Sequence, residues 1–143
     1  MTLNQLKQYL KGWFESSPFI NSVIVSTKDD FNEVRNIDYP VAHIEYLNSN
    51  TNINYINYTF VITLADIQND KHNHKNVDEI HNDATLIAQD FIDYHSENYE
   101  LFELDENVQI TPFEETTADR TAGITMAVRI SIFRDVNTCI IPK

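Results

Sequence analysis

Two long runs of alternating apolar and polar residues constrain this chain more than any other feature. In residues 53–66, Ile56, Tyr58, Phe60, Ile62 and Leu64 fall in one phase, with Asn57, Thr59 and Thr63 in the other. In residues 122–134, Ile124, Met126, Val128, Ile130 and Ile132 share a phase, with Thr125, Arg129, Ser131 and Phe133 opposite. A period of two puts successive side chains on opposite faces of a pleated strand. Both runs predict long strands with one apolar face that needs covering.

Two amphipathic stripes offer that cover. Leu3, Leu6, Leu10, Trp13 and Phe14 recur at helical spacing within residues 1–15. Thr2 and Gln5 stand at capping-box spacing, and Ser16, Ser17 and Pro18 stop the helix. The second stripe holds Val77, Ile80, Ala84, Ile87, Ala88, Phe91 and Ile92, after an N-cap at Asn76. Its other face is mostly acidic or amide, and helicity is expected to fade near residues 95–97.

Shorter elements fill the gaps. Residues 19–26 read as a strand and the polar run 28–38 as a loop. Pro40 leads into a strand over 41–47, where Ala42, Ile44 and Tyr46 face the core and His43 and Glu45 face water. The Asn- and Ser-rich stretch 48–52 reads as a hairpin turn. Residues 68–75 form an exposed loop, 107–113 a short strand and 114–121 a polar connection. The order is α-β-β-β-α-β-β. It implies an α+β fold: an antiparallel (mixed) sheet of about five strands with two main helices packed on one face. Neither repeat nor linker divides residues 1–143, so one domain is expected, with an extended tail at 136–143.

Composition narrows the functional classes. A 42 % hydrophobic share over 143 residues can fill one core. Twenty-two acidic against ten basic side chains give a formal charge of −12, a field that repels nucleic-acid phosphates. The single cysteine, Cys139, allows no intrachain disulfide and reads as an inert thiol in a reducing compartment. No apolar run approaches a membrane span, and residues 1–15 are amphipathic rather than signal-like. Synthesis and folding in a cytoplasm are expected.

Motifs for chemistry are sparse. Two glycines, Gly12 and Gly123, are too few for a phosphate-cradling loop. No G-x-S-x-G elbow occurs. His72, His74, Glu79 and His81 carry metal-binding atoms, but Glu79 and His81 stand two apart and diverge on a helix. Glu114, Glu115 and Asp119 read as a solvated connection rather than an acid–base pair. The expectation is a non-enzyme without metal or cofactor. Loops 68–75 and 114–121, beside rigid strands, are natural contact elements. Ile140 and Ile141 add an apolar pair with nothing obvious to cover it.

The layout resembles the tail terminator and tail-completion proteins of tailed phages, and the related neck proteins of the head–tail junction. It does so over about residues 3–135. The resemblance is carried by the N-terminal helix, Asp38-Tyr39-Pro40 before a long hairpin, and a helix holding Ile80-His81-Asn82-Asp83 and Ala88-Gln89-Asp90-Phe91. Ile110-Thr111-Pro112-Phe113-Glu114-Glu115 and Asp119-Arg120-Thr121-Ala122-Gly123 then precede the last alternating strand. This resemblance implies a structural virion protein without catalytic residues. It would form a ring with itself, often a hexamer in such families, and meet the tail tube and neck or connector proteins. DNA would pass through without specific binding, and an acidic channel would suit that passage. The implied interface candidates are Asp70, His72, His74, Glu114, Glu115, Asp119, Arg120, Ile140 and Ile141. The alternative is a small acidic monomeric module that binds or inhibits a protein partner.

Overall fold

The computed structural model describes residues 1–68, 76–105, 107–115 and 120–133. Asp70, His72, His74, Asp119, Cys139, Ile140, Ile141 and the 136–143 tail lie outside the described residues. The elements run α1 (Leu3–Glu15), β1 (Ser22–Val25), α2 (Lys28–Glu33), β2 (Val41–Thr51), β3 (Tyr55–Ile67), α3 (Val77–Glu97), β4 (Glu103–Leu104), β5 (Ile110–Glu114) and β6 (Thr121–Phe133).

The two alternating runs become neighbours at the centre of one mixed sheet. β3 and β6 pair antiparallel from Tyr55↔Phe133 to Ile67↔Thr121. β2 flanks β3 antiparallel, and β1 adds to β2 in parallel. β4 and β5 both line the far side of β6, so the described residues form six strands, five of them in the main order. The strand not read from the sequence is β4, two residues long, too short to leave a periodic trace. Fold class is as expected: α+β, with two main helices on one face.

That face is the core. Ile44, Phe60, Ile62, Ile124, Met126, Val128 and Ile130 meet Leu6, Leu10 and Phe14 of α1 and Ala84, Ala88 and Phe91 of α3. Phe14 stacks on Phe91 at 5.3 Å, and Trp13 meets Phe91 edge-on at 5.1 Å. Each fully buried side chain of this size contributes roughly 1.5–3 kcal/mol. The capping box forms as read: Thr2 Oγ1 accepts from the Gln5 N–H, and Gln5 Oε1 accepts from the Thr2 N–H.

α3 ends at Glu97, where helicity was expected to fade, and its last turn is anchored by His95, built into the core at 1 % exposure. Its Nδ1–H donates to the Phe91 carbonyl at 2.7 Å, so its Nε2 accepts from the Tyr9 hydroxyl at 2.8 Å. Three local expectations are corrected. Residues 48–51 are not part of the turn but the end of β2, carried past a bulge between Tyr46 and Asn48. Chain reversal comes at Asn52, whose Oδ1 accepts from the N–H groups of Asn54 and Tyr55. The 28–38 loop contains α2, capped by Thr27 Oγ1 on the Asp30 N–H at 3.2 Å. A parallel β1–β2 pair requires a crossover, and this segment supplies it. Finally, Gln68 is buried rather than exposed.

At Gly123 β6 packs against β3 with no room for a side chain: a Cβ there would collide with the Leu64 carbonyl. Gly123→Ala is expected to cost about 1–3 kcal/mol, as overpacking does. Chemical denaturation would check this, and an unchanged midpoint would refute the close approach.

Candidate functional site

α1 and α3 fill the inner face, so among the described residues the opposite face of the sheet is covered by α2. Its Phe31 stacks on His43 with ring centroids 4.2 Å apart and planes 12° from parallel. A groove of about 750 Å³ opens beside this contact. Phe31, Val34, Ile37 and Tyr39 wall one side; Phe113 and Glu115 lie on the other. Val61, Thr63, Ala65, Thr121 and Thr125 supply the outward positions of β3 and β6 beneath it. Small side chains there leave depth.

The groove explains a misread histidine. Alternation put His43 in water, yet it is only 4 % exposed because the crossover returns over it. Its Nε2–H donates to the Ser26 carbonyl at 3.0 Å. Burial pushes its pKa down, and Lys28 acts in the same direction, against the Ser26 and Thr27 backbone and Glu45. Glu45 is itself engaged, accepting from the Lys28 N–H at 2.6 Å.

A polar clamp fixes the groove's far end. The Gln68 N–H donates to the Arg120 carbonyl at 2.8 Å. Gln68 Nε2 donates to the carbonyls of Glu115 and Thr121, each at 2.9 Å. The Glu115 N–H donates to the Thr121 carbonyl at 2.7 Å, closing the base of the connection between β5 and β6. Arg120 turns the chain in the left-handed region, at φ 44°. Gln68 Oε1 is buried without a hydrogen-bond partner among the described residues.

Of the interface candidates read from sequence, Glu114, Glu115 and Arg120 lie among the described residues, gathered around this clamp. Glu115 reaches the groove lining, and Glu114 pairs with Ala122 at the end of β5. Phe31, His43 and Phe113 were not read as site residues, and Gln68 was read only as the start of the contact loop 68–75. Nothing local marks them, since each acquires its role from a strand or helix distant in sequence.

Beyond the groove, the outer face carries further apolar surface. Tyr55 and Phe133 form a cross-strand ring pair at 5.8 Å, and Phe133 stays 67 % exposed. Leu47 and Ile67 are exposed as well, and Ile53 at the hairpin tip is 85 % exposed. His81 donates from Nε2 to the Phe113 carbonyl at 2.9 Å, tying α3 to β5. Among the described residues no cluster of three or more His, Cys, Asp or Glu could hold a metal ion. No described helix is long and apolar enough to cross a membrane. The chain matches no protein-family model and no curated protein.

Two outcomes follow from the buried polar groups. Gln68→Ala removes both side-chain bonds of the clamp and is expected to cost about 1–3 kcal/mol. Limited proteolysis would then cut faster between residues 115 and 121; unaltered cleavage would argue against the clamp. The second concerns pH. His43 and His95 both have pKa values lowered, chiefly by burial. Above their ordinary value of 6.5, both are neutral folded or unfolded, and stability is full. As pH falls below it, the unfolded chain binds protons that the folded one resists, so stability drops. Thermal melts between pH 7.5 and 5.5 should show this loss, and a His43→Gln/His95→Gln double variant should show a shallower slope.

Proposed function

We propose that the protein is a structural, ring-forming subunit of a tailed-phage tail or neck, acting as a tail terminator or tail-completion protein. The observation that carries this reading is the outer face of the sheet. With the core already filled by α1 and α3, the chain still presents Phe133, Leu47, Ile67 and Ile53 to the surface, beside an apolar-walled groove. Exposed apolar surface of this kind serves docking on another protein. The two sheet edges are also unlike. One ends on the parallel strand β1, the other on β4 and β5. Contacts between unlike edges are head-to-tail, and such contacts close into rings when the rotation allows. In this reading the copies meet through edges, the Gln68 clamp region and the outer face, and DNA passes without specific contact.

The second reading, an acidic monomeric binding module, draws on α3. Its exposed side presents Asp78, Glu79, Asp83, Asp90, Asp93 and Glu97 with neither Lys nor Arg. Such a face suits a basic partner.

Sedimentation and negative-stain microscopy, alone and with purified tail tubes, separate the two. Closed rings, or a ring capping the tube, are expected. Ile53→Asp with Phe133→Ser should weaken assembly while leaving the melting temperature within a few degrees, since both residues are exposed. A chain that stays monomeric at high concentration and beside tubes would overturn the ring.

A further inference from the structure

The strand registers draw apolar rows straight across the sheet. One row runs Val25, Ile44, Ile62, Met126, Ile110, and the next runs Val23, Ala42, Leu64, Ile124, Pro112. Both lie on the inner face and end at opposite edges, on β1 and on β5. Hydrogen bonds fix which backbone groups point off each edge. The N–H groups of Ser22 and Ser26 donate to the Pro40 and Ile44 carbonyls, so the alternate residues Val23 and Val25 turn theirs outward. The Glu115 N–H donates to the Thr121 carbonyl, so the outward positions of β5 are Ile110, Pro112 and Glu114. Proline suits such a position, having no N–H to leave unpaired. Among the described residues no strand pairs with either edge.

We propose that the free edge of β1 in one copy pairs antiparallel with the free edge of β5 in the next, Val25 opposite Ile110 and Val23 opposite Pro112, so that the sheet continues from copy to copy. This deepens the ring reading and rests on it. Chain direction fits. β1 runs with β2 and β6 while β5 runs against them, so copies that share one orientation meet antiparallel. Height fits as well. Copies in a ring are related by rotation without rise, and with strands along the ring axis each apolar row then meets its own continuation. Val25 and Ile110 exchange both backbone bonds, and the Val23 N–H donates to the Pro112 carbonyl. Their side chains fall side by side on the inner face, as cross-strand pairs do. Charge selects unlike edges over like ones. α1, lying over β1 and β2, carries Lys7 and Lys11 and one acid, Glu15. Residues 98–115, which include β4 and β5, hold six acidic side chains and neither Lys nor Arg. Pairing β1 with β1 would set two lysine-bearing helices side by side, and pairing β5 with β5 would join two acidic edges.

Disulfide trapping in the full-length chain tests this register, with the single native thiol removed by Cys139→Ser. In the proposed register Ile24 of one copy faces Thr111 of the next as a non-hydrogen-bonded pair, whose Cα atoms stand about 4.5 Å apart, within disulfide reach. Within one copy the two lie at opposite edges, about 19 Å apart across four strand spacings, and cannot join. Mild oxidation of Ile24→Cys/Thr111→Cys should give a ladder of covalent multimers, about tenfold or more above either single-cysteine variant, because pairing raises the effective concentration of the thiols. Ser22→Cys/Phe113→Cys repeats the test in the same register, should Ile24→Cys perturb folding. Ile24→Cys/Asp90→Cys, with its second thiol on the exposed side of α3, should give only background yield. Equal yield from that control overturns the proposal. So do abundant dimers from Ile24→Cys alone, since β1 would then meet β1. Rings seen by negative-stain microscopy without the ladder refute this pairing and leave the ring reading standing. A ladder of open chains that never closes supports the pairing and sinks the ring, and the lack of both ladder and ring refutes both.

Discussion

The antiparallel pairing of β3 with β6, thirteen residues on each strand, is the constraint on which the rest of the structure depends. It aligns two alternating patterns in register, so that Phe60, Ile62 and Leu64 share a face with Ile124, Met126 and Val128. A slip of one residue would turn one strand's apolar set into water. Gly123 lets the strands close where any side chain would strike the Leu64 carbonyl. Once this pair is set, the apolar sheet face has to be covered, and α1 and α3 are the two stripes that can cover it.

The two faces of the sheet are then unequal. The inner one is dry, and its polar groups are satisfied: His95 is held by Tyr9 and the Phe91 carbonyl inside a cage that includes Trp13 and Phe102. Among the described residues the outer one receives the six residues of α2, a by-product of the crossover that parallel β1–β2 pairing demands. One short helix covers His43 and leaves a groove beside it. This incomplete cover is what ties fold to proposed function. It leaves apolar surface without exposing the core, so the surface can be used for assembly at little cost to the folded subunit.

Polar burial at the edge of that groove has a similar logic. Gln68 satisfies the carbonyls of Glu115 and Thr121, which would otherwise sit unpaired where β5 and β6 part. The price is its own Oε1, buried without a partner among the described residues. A rigid base under the connection positions Glu115 at the rim.

What the residues alone determined was periodic and local. The long strands, both main helices, the Thr2–Gln5 capping box and the α+β class were all legible, because repeated spacing and short-range hydrogen bonds act within a few residues. Only the tertiary structure decided what depends on partners far along the chain: that His43 is covered, that Gln68 is a clamp, that His95 holds the end of α3, and that α2 exists as a crossover. A six-residue helix has too few turns to show a stripe, and alternation says which side a residue points to but not whether another element lands there. The groove was invisible for the same reason. Its walls come from α2 and β5, about eighty residues apart, and only the sheet register brings them face to face.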